Sequence, residues 1–96
     1  MIEFENQPDF PEGCALIYGG SGGLGQSAAR LFAARGSAVV VTYRSNQGEA
    51  DKTVKQITDF GGKALAVQAD LTRPETIKAA CDAAVAKFGR VHSVIA

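Results

Sequence analysis

The feature that most constrains this chain is the stretch Gly19-Gly20-Ser21-Gly22-Gly23-Leu24-Gly25, which holds five of its eleven glycines. The apolar run Cys14-Ala15-Leu16-Ile17-Tyr18 precedes it, and a helix-like pattern comes after it. Glycine lets the backbone turn tightly and come close to a ligand. The start of the helix then offers unpaired N–H groups and a positive dipole end. A strand that turns through glycine into a helix is therefore a device for holding an anion, and the first reading is a grip on the pyrophosphate of a dinucleotide. Gly20-x-Gly22-x-x-Gly25 and Gly23-x-Gly25-x-x-Ala28 both fit the generic fingerprint, so glycine spacing alone does not fix the frame. The competing reading is a flexible glycine-rich linker, and the flanking pattern argues against it.

Four short apolar runs read as strands: Cys14–Tyr18, Ala38–Tyr43, Ala64–Ala69 and Val91–Ala96. Val39-Val40-Val41 is continuous and β-branched, as a parallel strand buried on both faces requires. Three helix patterns lie between the runs. Leu24, Ala28, Leu31 and Phe32 recur at helical spacing before Gly36. Ala50, Val54, Ile57 and Phe60 form a second stripe, stopped by Gly61-Gly62. Thr72 is a candidate N-cap for the third helix, with Pro74 and Glu75 in its first turn. The third stripe is Ile77, Ala80, Cys81, Ala84, Val85 and Phe88, ended by Gly89. These stripes are assigned to core packing. The order β-α-β-α-β-α-β predicts a parallel sheet with helices on both faces. Right-handed crossovers give strand order 3-2-1-4. Ligands bind such sheets at the carboxyl ends of the strands, where the order reverses, and the glycine loop comes directly after strand 1.

Ninety-six residues make one small domain. Residues 1–12, with Pro8 and Pro11, read as an extended N-terminal leader, and residues 13–96 as the N-terminal part of a dinucleotide-binding domain. An apolar content of 46% supports a packed core, and no long apolar run predicts a membrane span. The leader carries Glu3, Glu5, Asp9 and Glu12 and no base, unlike a secretory or mitochondrial leader. Cys14 and Cys81 read as buried reduced thiols, which fits a cytoplasmic protein. One histidine and two distant cysteines give no metal set. Residues 13–96 hold ten bases against six acids, without a basic run or interleaved aromatics, so nucleic acid is not an expected partner.

Taken with its flanks, the loop resembles that of the short-chain dehydrogenases/reductases, Thr-Gly-x-x-x-Gly-x-Gly. The spaced glycines fall at Gly19, Gly23 and Gly25, and Tyr18 stands where the family has threonine. Ala28-Ala29-Arg30-Leu31-Phe32-Ala33-Ala34-Arg35-Gly36 and Ala38-Val39-Val40-Val41 also look like the family, and the likeness covers nearly all of residues 13–96. It implies an α/β, Rossmann-like, partial doubly wound fold. It also implies cofactor contacts at Gly19, Ser21, Gly22, Gly23, Leu24 and Gly25, and hydride transfer between a nicotinamide and a carbonyl or alcohol.

The resemblance implies two further sites. NAD-binding members carry an acid at the Tyr43 position to hold the ribose 2′-hydroxyl, and this chain has none. A carboxylate would repel a 2′-phosphate, whereas Arg44 can pair with one through its planar fork, and Ser45 adds a hydroxyl donor. This favours NADP over NAD. The bland alternative is a solvated surface arginine. NADP-preferring members often carry another base within the loop, at the position of Gly22. Asp70-Leu71 matches the place where the family's aspartate accepts from the adenine amino group and its neighbour's backbone adds contacts. From the residues alone, Asp70 can equally be a turn or cap residue. His92 aligns with a common aspartate and reads as a polar strand-start residue. Ala96 stands where the family has asparagine.

The family's acid/base tyrosine, the lysine four residues after it and the substrate-orienting serine have no match. Positions 22 and 47, four beyond Tyr18 and Tyr43, are Gly22 and Gln47. The chain is therefore expected to be the NADP(H)-binding portion of an oxidoreductase and inactive by itself, its carbonyl or alcohol substrate met only by a longer chain. Two alternatives stay open. One is a non-catalytic NADP-binding or regulatory module. The other is a piece that associates, as a homo-oligomer or with another chain, through the open edge of strand 4.

Overall fold

The computed structural model describes residues 13–19 and 23–95. Four strands and three helices alternate: β1 (Cys14–Ile17), α1 (Gly23–Ala34), β2 (Ala38–Tyr43), α2 (Gln47–Asp59), β3 (Ala64–Gln68), α3 (Pro74–Phe88) and β4 (Val91–Ile95). The strands form one sheet in the order β3-β2-β1-β4, every pair parallel. Val39 pairs with Ala15 and Ala64, which places β2 and β1 inside the sheet and β3 and β4 at its edges. The fold class and strand order expected from the sequence are therefore the ones observed.

Side-chain alternation along the strands divides the core between two faces. Ile17, Val39 and Val41 point to one side, where Ala29 of α1 and Ala50 and Ile57 of α2 pack on them. Cys14, Leu16, Ala38 and Val40 point to the other, where Ala84 of α3 closes over them with Cys81 and Phe88 beside it. Small residues recur where each helix meets the sheet, so backbones approach closely. All three helices leave through a glycine at positive φ, namely Gly36 (90°), Gly61 (89°) and Gly89 (95°). That conformation costs glycine nothing and strains other residues.

Some members of the helical stripes lie outside the core. Phe60 is 91% exposed because α2 ends at Asp59, leaving the ring beyond the last turn. Leu24 and Leu31 of α1 and Val85 of α3 are exposed too, at the margins of stripes whose centres are Ala29 and Ala84. Thr72 is not the cap of α3. The N-cap is Arg73, with no side-chain capping bond, and Pro74 opens the helix where its missing N–H costs nothing. His92 sits on β4 with its ring nitrogens 3.0 Å from Ser37 Oγ and 2.9 Å from Ser93 Oγ. Burial, then the charge of Arg90, pushes its pKa below the ordinary value.

Candidate cofactor site

Because β1, β2 and β3 are parallel neighbours, their carboxyl ends lie on one rim, and each of the three leads into a segment expected to hold cofactor. Gly19 comes after β1, Arg44 and Ser45 after β2, and Asp70 and Leu71 after β3. Gly23, Leu24 and Gly25 form the first turn of α1. Ser21 and Gly22 lie outside the described residues. Arg44, Ser45, Leu71, Gly19, Gly23 and Leu24 are exposed on this rim, while Gly25 and Asp70 are half-buried.

The glycine loop leaves β1 at Gly19, whose φ of 77° is left-handed. A Cβ built at Gly19 or at Gly23 would meet no atom within 4 Å among the described residues. The first turn of α1 carries no acidic residue, whereas α2 and α3 carry Glu49 and Glu75 there. No carboxylate of its own thus neutralises the positive end of α1, which is worth about 0.3–1 kcal/mol to an anion at an exposed helix start. The nearest carboxylate to this helix start is that of Glu49, whose Oε2 accepts from Gln26 Nε2 at 3.4 Å.

A residue overlooked in the sequence pattern fixes this loop. Thr42 Oγ1 accepts the Gly19 N–H at 3.1 Å, and Thr42 is only 2% exposed. On the other side, Tyr18 N–H donates to Ile95 O at 2.8 Å, so the loop is tied to both neighbouring strands. The family's loop threonine is Tyr18 here, and Thr42 gives the loop a hydroxyl from β2 instead. Only the strand register brings residues 18–19 and 42 together, which is why no local motif marks Thr42. Replacing it by valine keeps the shape and leaves the Gly19 N–H without its acceptor. Thr42→Val is expected to cost about 1–2 kcal/mol, the range for an orphaned amide. Urea unfolding checks this, and a loss below about 0.3 kcal/mol would mean that water replaces the hydroxyl freely.

Tyr18 faces α3. Its hydroxyl lies 3.5 Å from Cys81 Sγ, and burial, together with this contact, pushes its pKa up to about 12. Burial and the nearby Cys81 also push the Cys14 thiol up. Both cysteines are free.

At the ends of β2 and β3, Gln68 Nε2 donates to Arg44 O at 3.0 Å and Ala69 N–H to Tyr43 O at 2.9 Å. Asp70 is held in a tight turn. Its Oδ1 accepts from Thr72 N–H at 2.9 Å and from Thr72 Oγ1 at 2.7 Å. Thr76 Oγ1 accepts the Asp70 N–H at 2.8 Å and lies 2.9 Å from Asp70 O as a donor. The hydroxyl of Thr72 thus serves Asp70 and not the helix. Arg44 Nε stands 3.7 Å from Asp70 Oδ2, with the Arg44 side chain 76% exposed. Solvent screens such a pair, so it holds the guanidinium only weakly. The two Thr72 bonds, and then the charges of Arg44 and Arg73, lower the Asp70 pKa below the ordinary carboxylate value.

The description "short chain dehydrogenase" belongs to the family model that matches residues 13–96. The chain belongs to the short-chain dehydrogenase family. Its relatives include 3beta-hydroxysteroid dehydrogenase 1 of Eggerthella lenta, 46% identical over 76 residues, a match covering 79% of this chain and 29% of that protein. The short-chain dehydrogenase/reductase homolog YusS of Bacillus subtilis is 37% identical over 81 residues, covering 84% of this chain and 74% of YusS. A short-chain dehydrogenase from Burkholderia cenocepacia, solved in complex with NADP, superposes with a TM-score of 0.82 at 34% identity, over 85% of this chain and 34% of that one. YusS apart, the chain spans about a third of the length of the curated relatives that it matches first, from 29% to 33%. Short-chain dehydrogenases are oxidoreductases. Among the described residues of this one, no helix is long and apolar enough to cross a membrane.

Proposed function

We propose that this chain is the NADP(H)-binding portion of a short-chain dehydrogenase/reductase that transfers hydride between a nicotinamide and a carbonyl or alcohol. In this reading Gly19, Ser21, Gly22, Gly23, Leu24 and Gly25 cradle the pyrophosphate, Arg44 and Ser45 take the 2′-phosphate, and Asp70 and Leu71 hold adenine. The observation that carries it is the placement of Arg44. It stands exposed at the carboxyl end of β2, the strand next to the one that leads into Gly19, and the residue before it is Tyr43 and not an acid. The NADP complex of the Burkholderia relative supports the same ligand. The nicotinamide supplies the hydride chemistry when bound. The 96 residues supply adhesion and orientation, and the serine and the tyrosine-lysine pair would come from sequence outside them. The two free cysteines suit a reducing, cytoplasmic setting.

Reversing the charge of Arg44 tests this. Arg44→Glu places a carboxylate against the 2′-phosphate, so calorimetry on the chain is expected to show NADP weakened about tenfold more than NAD, a difference of about 1.4 kcal/mol. Equal losses for both cofactors would remove Arg44 from phosphate recognition.

One observation favours a second reading. The match to YusS covers most of that protein, so a relative built largely from the same region occurs. A stand-alone module that binds NADP without turnover accounts for this. Carbonyl reduction by a longer product of the same gene would decide for the first reading, and binding without turnover by every product for the second.

A further inference from the structure

The two side chains assigned to opposite parts of the ligand, Arg44 to the 2′-phosphate and Asp70 to adenine, face each other across the rim. The two oxygens of Asp70 differ in their surroundings. Oδ1 is taken twice by Thr72, and Oδ2 faces Arg44 Nε. Thr76 Oγ1 accepts the Asp70 N–H, while its one hydroxyl proton is shared between the carbonyls of Asp70 and Arg73, so the carboxylate has a held base and, through Thr72, a held inner oxygen. The oxygen open to an adenine amino group is Oδ2, the one that Arg44 faces. Arg73, the other cation near Asp70, is held by Glu75 at 2.9 Å, so Arg44 is the cation most able to move.

Resting on that assignment of ligand parts, we propose that Arg44 is a latch on the adenine site as well as a reader of phosphate. In the chain without nucleotide its Nε stands 3.7 Å from Asp70 Oδ2, on the approach to that oxygen. A nucleotide bearing a 2′-phosphate supplies a second anion, which draws the guanidinium away and frees the oxygen for adenine. A nucleotide without that phosphate must push Arg44 into water or forgo the adenine contact. Arg44 therefore acts in opposite directions on the two kinds of ligand. An arginine that only reads phosphate would leave the ligand lacking phosphate untouched.

The probes are 2′,5′-ADP and 5′-AMP, titrated by calorimetry into the full 96-residue chain and into Arg44→Ala. Removing Arg44 is expected to weaken 2′,5′-ADP about tenfold or more, as the charge-assisted fork is lost. It is expected to tighten 5′-AMP about two- to fivefold, the span open to an exposed ion pair. Arg44→Gln, which keeps the length and polarity of the side chain, should behave alike and guards against a folding defect. A second readout is the carboxyl ¹³C titration of Asp70, which should move up toward the ordinary value in both variants. An unchanged or weaker 5′-AMP affinity, or an Asp70 titration that does not move, overturns the latch and leaves the phosphate reading standing. Unchanged 2′,5′-ADP binding overturns both roles of Arg44. A wild-type chain that binds neither probe overturns the dinucleotide reading itself.

Discussion

Leu16→Ala is expected to remove about 2–5 kcal/mol of stability, the range for deleting a leucine side chain from a closed core. Leu16 lies in β1 between Val40 and Val94, has no exposed surface, and packs with Cys14, Ala38, Val40 and Ala84. Its neighbours sit on rigid parallel strands on both sides, so the space left behind cannot collapse. A domain of this size has only about 5–15 kcal/mol in total. At about 4–8 °C per kcal/mol, the melting midpoint should fall by roughly 10 °C or more. Leu24→Ala is the control. Leu24 is 89% exposed, and its loss should stay within about 0.5 kcal/mol. Equal effects of the two substitutions in urea unfolding would mean that the α3 face of the sheet is not packed as described.

The second large effect is expected at Gly13→Val. Gly13 has a φ of 117°, and a Cβ there would run into the backbone carbonyl and the Cγ of Arg90. The same carbonyl accepts the Cys14 N–H at 2.8 Å, the bond that starts the pairing of β1 with β4. The pairing register also shifts between Cys14 and Ala15, so this corner has one geometry to accommodate. Strain of about 1–3 kcal/mol for the backbone and about 1 kcal/mol for the bond put the loss near 2–4 kcal/mol. Gly36→Val separates the two causes. Its φ is also positive, but a Cβ there meets nothing within 4 Å, so only the conformational cost of about 1–2 kcal/mol applies. Hydrogen exchange should show Gly13→Val opening β4 ahead of β2 and β3. Uniform loss of protection along the sheet would show that the collision is relieved elsewhere.

Much of this was legible in the chain because local signals agreed. The β-branched run at Val39–Val41, the alternation of strand and helix patterns, and the glycines at 36, 61 and 89 each define an element without reference to the others. Strand order came from the handedness of crossovers. What escaped were facts that depend on register or on where an element stops. Thr42 serves the glycine loop only because β2 lies beside β1, 23 residues away in the chain from Gly19. Phe60 continues a helical stripe in sequence, yet the helix ends one residue before it. Thr72 has the chemistry of a cap, but Asp70 lies two residues before it and accepts its hydroxyl, so the carboxylate and not the helix start receives that bond. Local propensity cannot rank two such acceptors. The mutual pairing of Arg44 and Asp70 was hidden for the same reason, since the two residues were assigned separately to different parts of a ligand.

The helix exits through Gly36, Gly61 and Gly89 all lie at the rim opposite the glycine loop, where the strands begin. The two ends of the sheet therefore carry separate duties. One end sets chain reversals that the fold cannot do without. The other is made of segments leaving β1, β2 and β3, whose side chains at Arg44, Ser45 and Leu71 face solvent. Such a chain can acquire a new ligand preference by exchanging a few residues at one end while its architecture is maintained from the other. The same separation guides protein engineering: stabilising changes belong at the glycine-terminated rim, and under the proposed function changes of cofactor preference belong at the rim of Arg44.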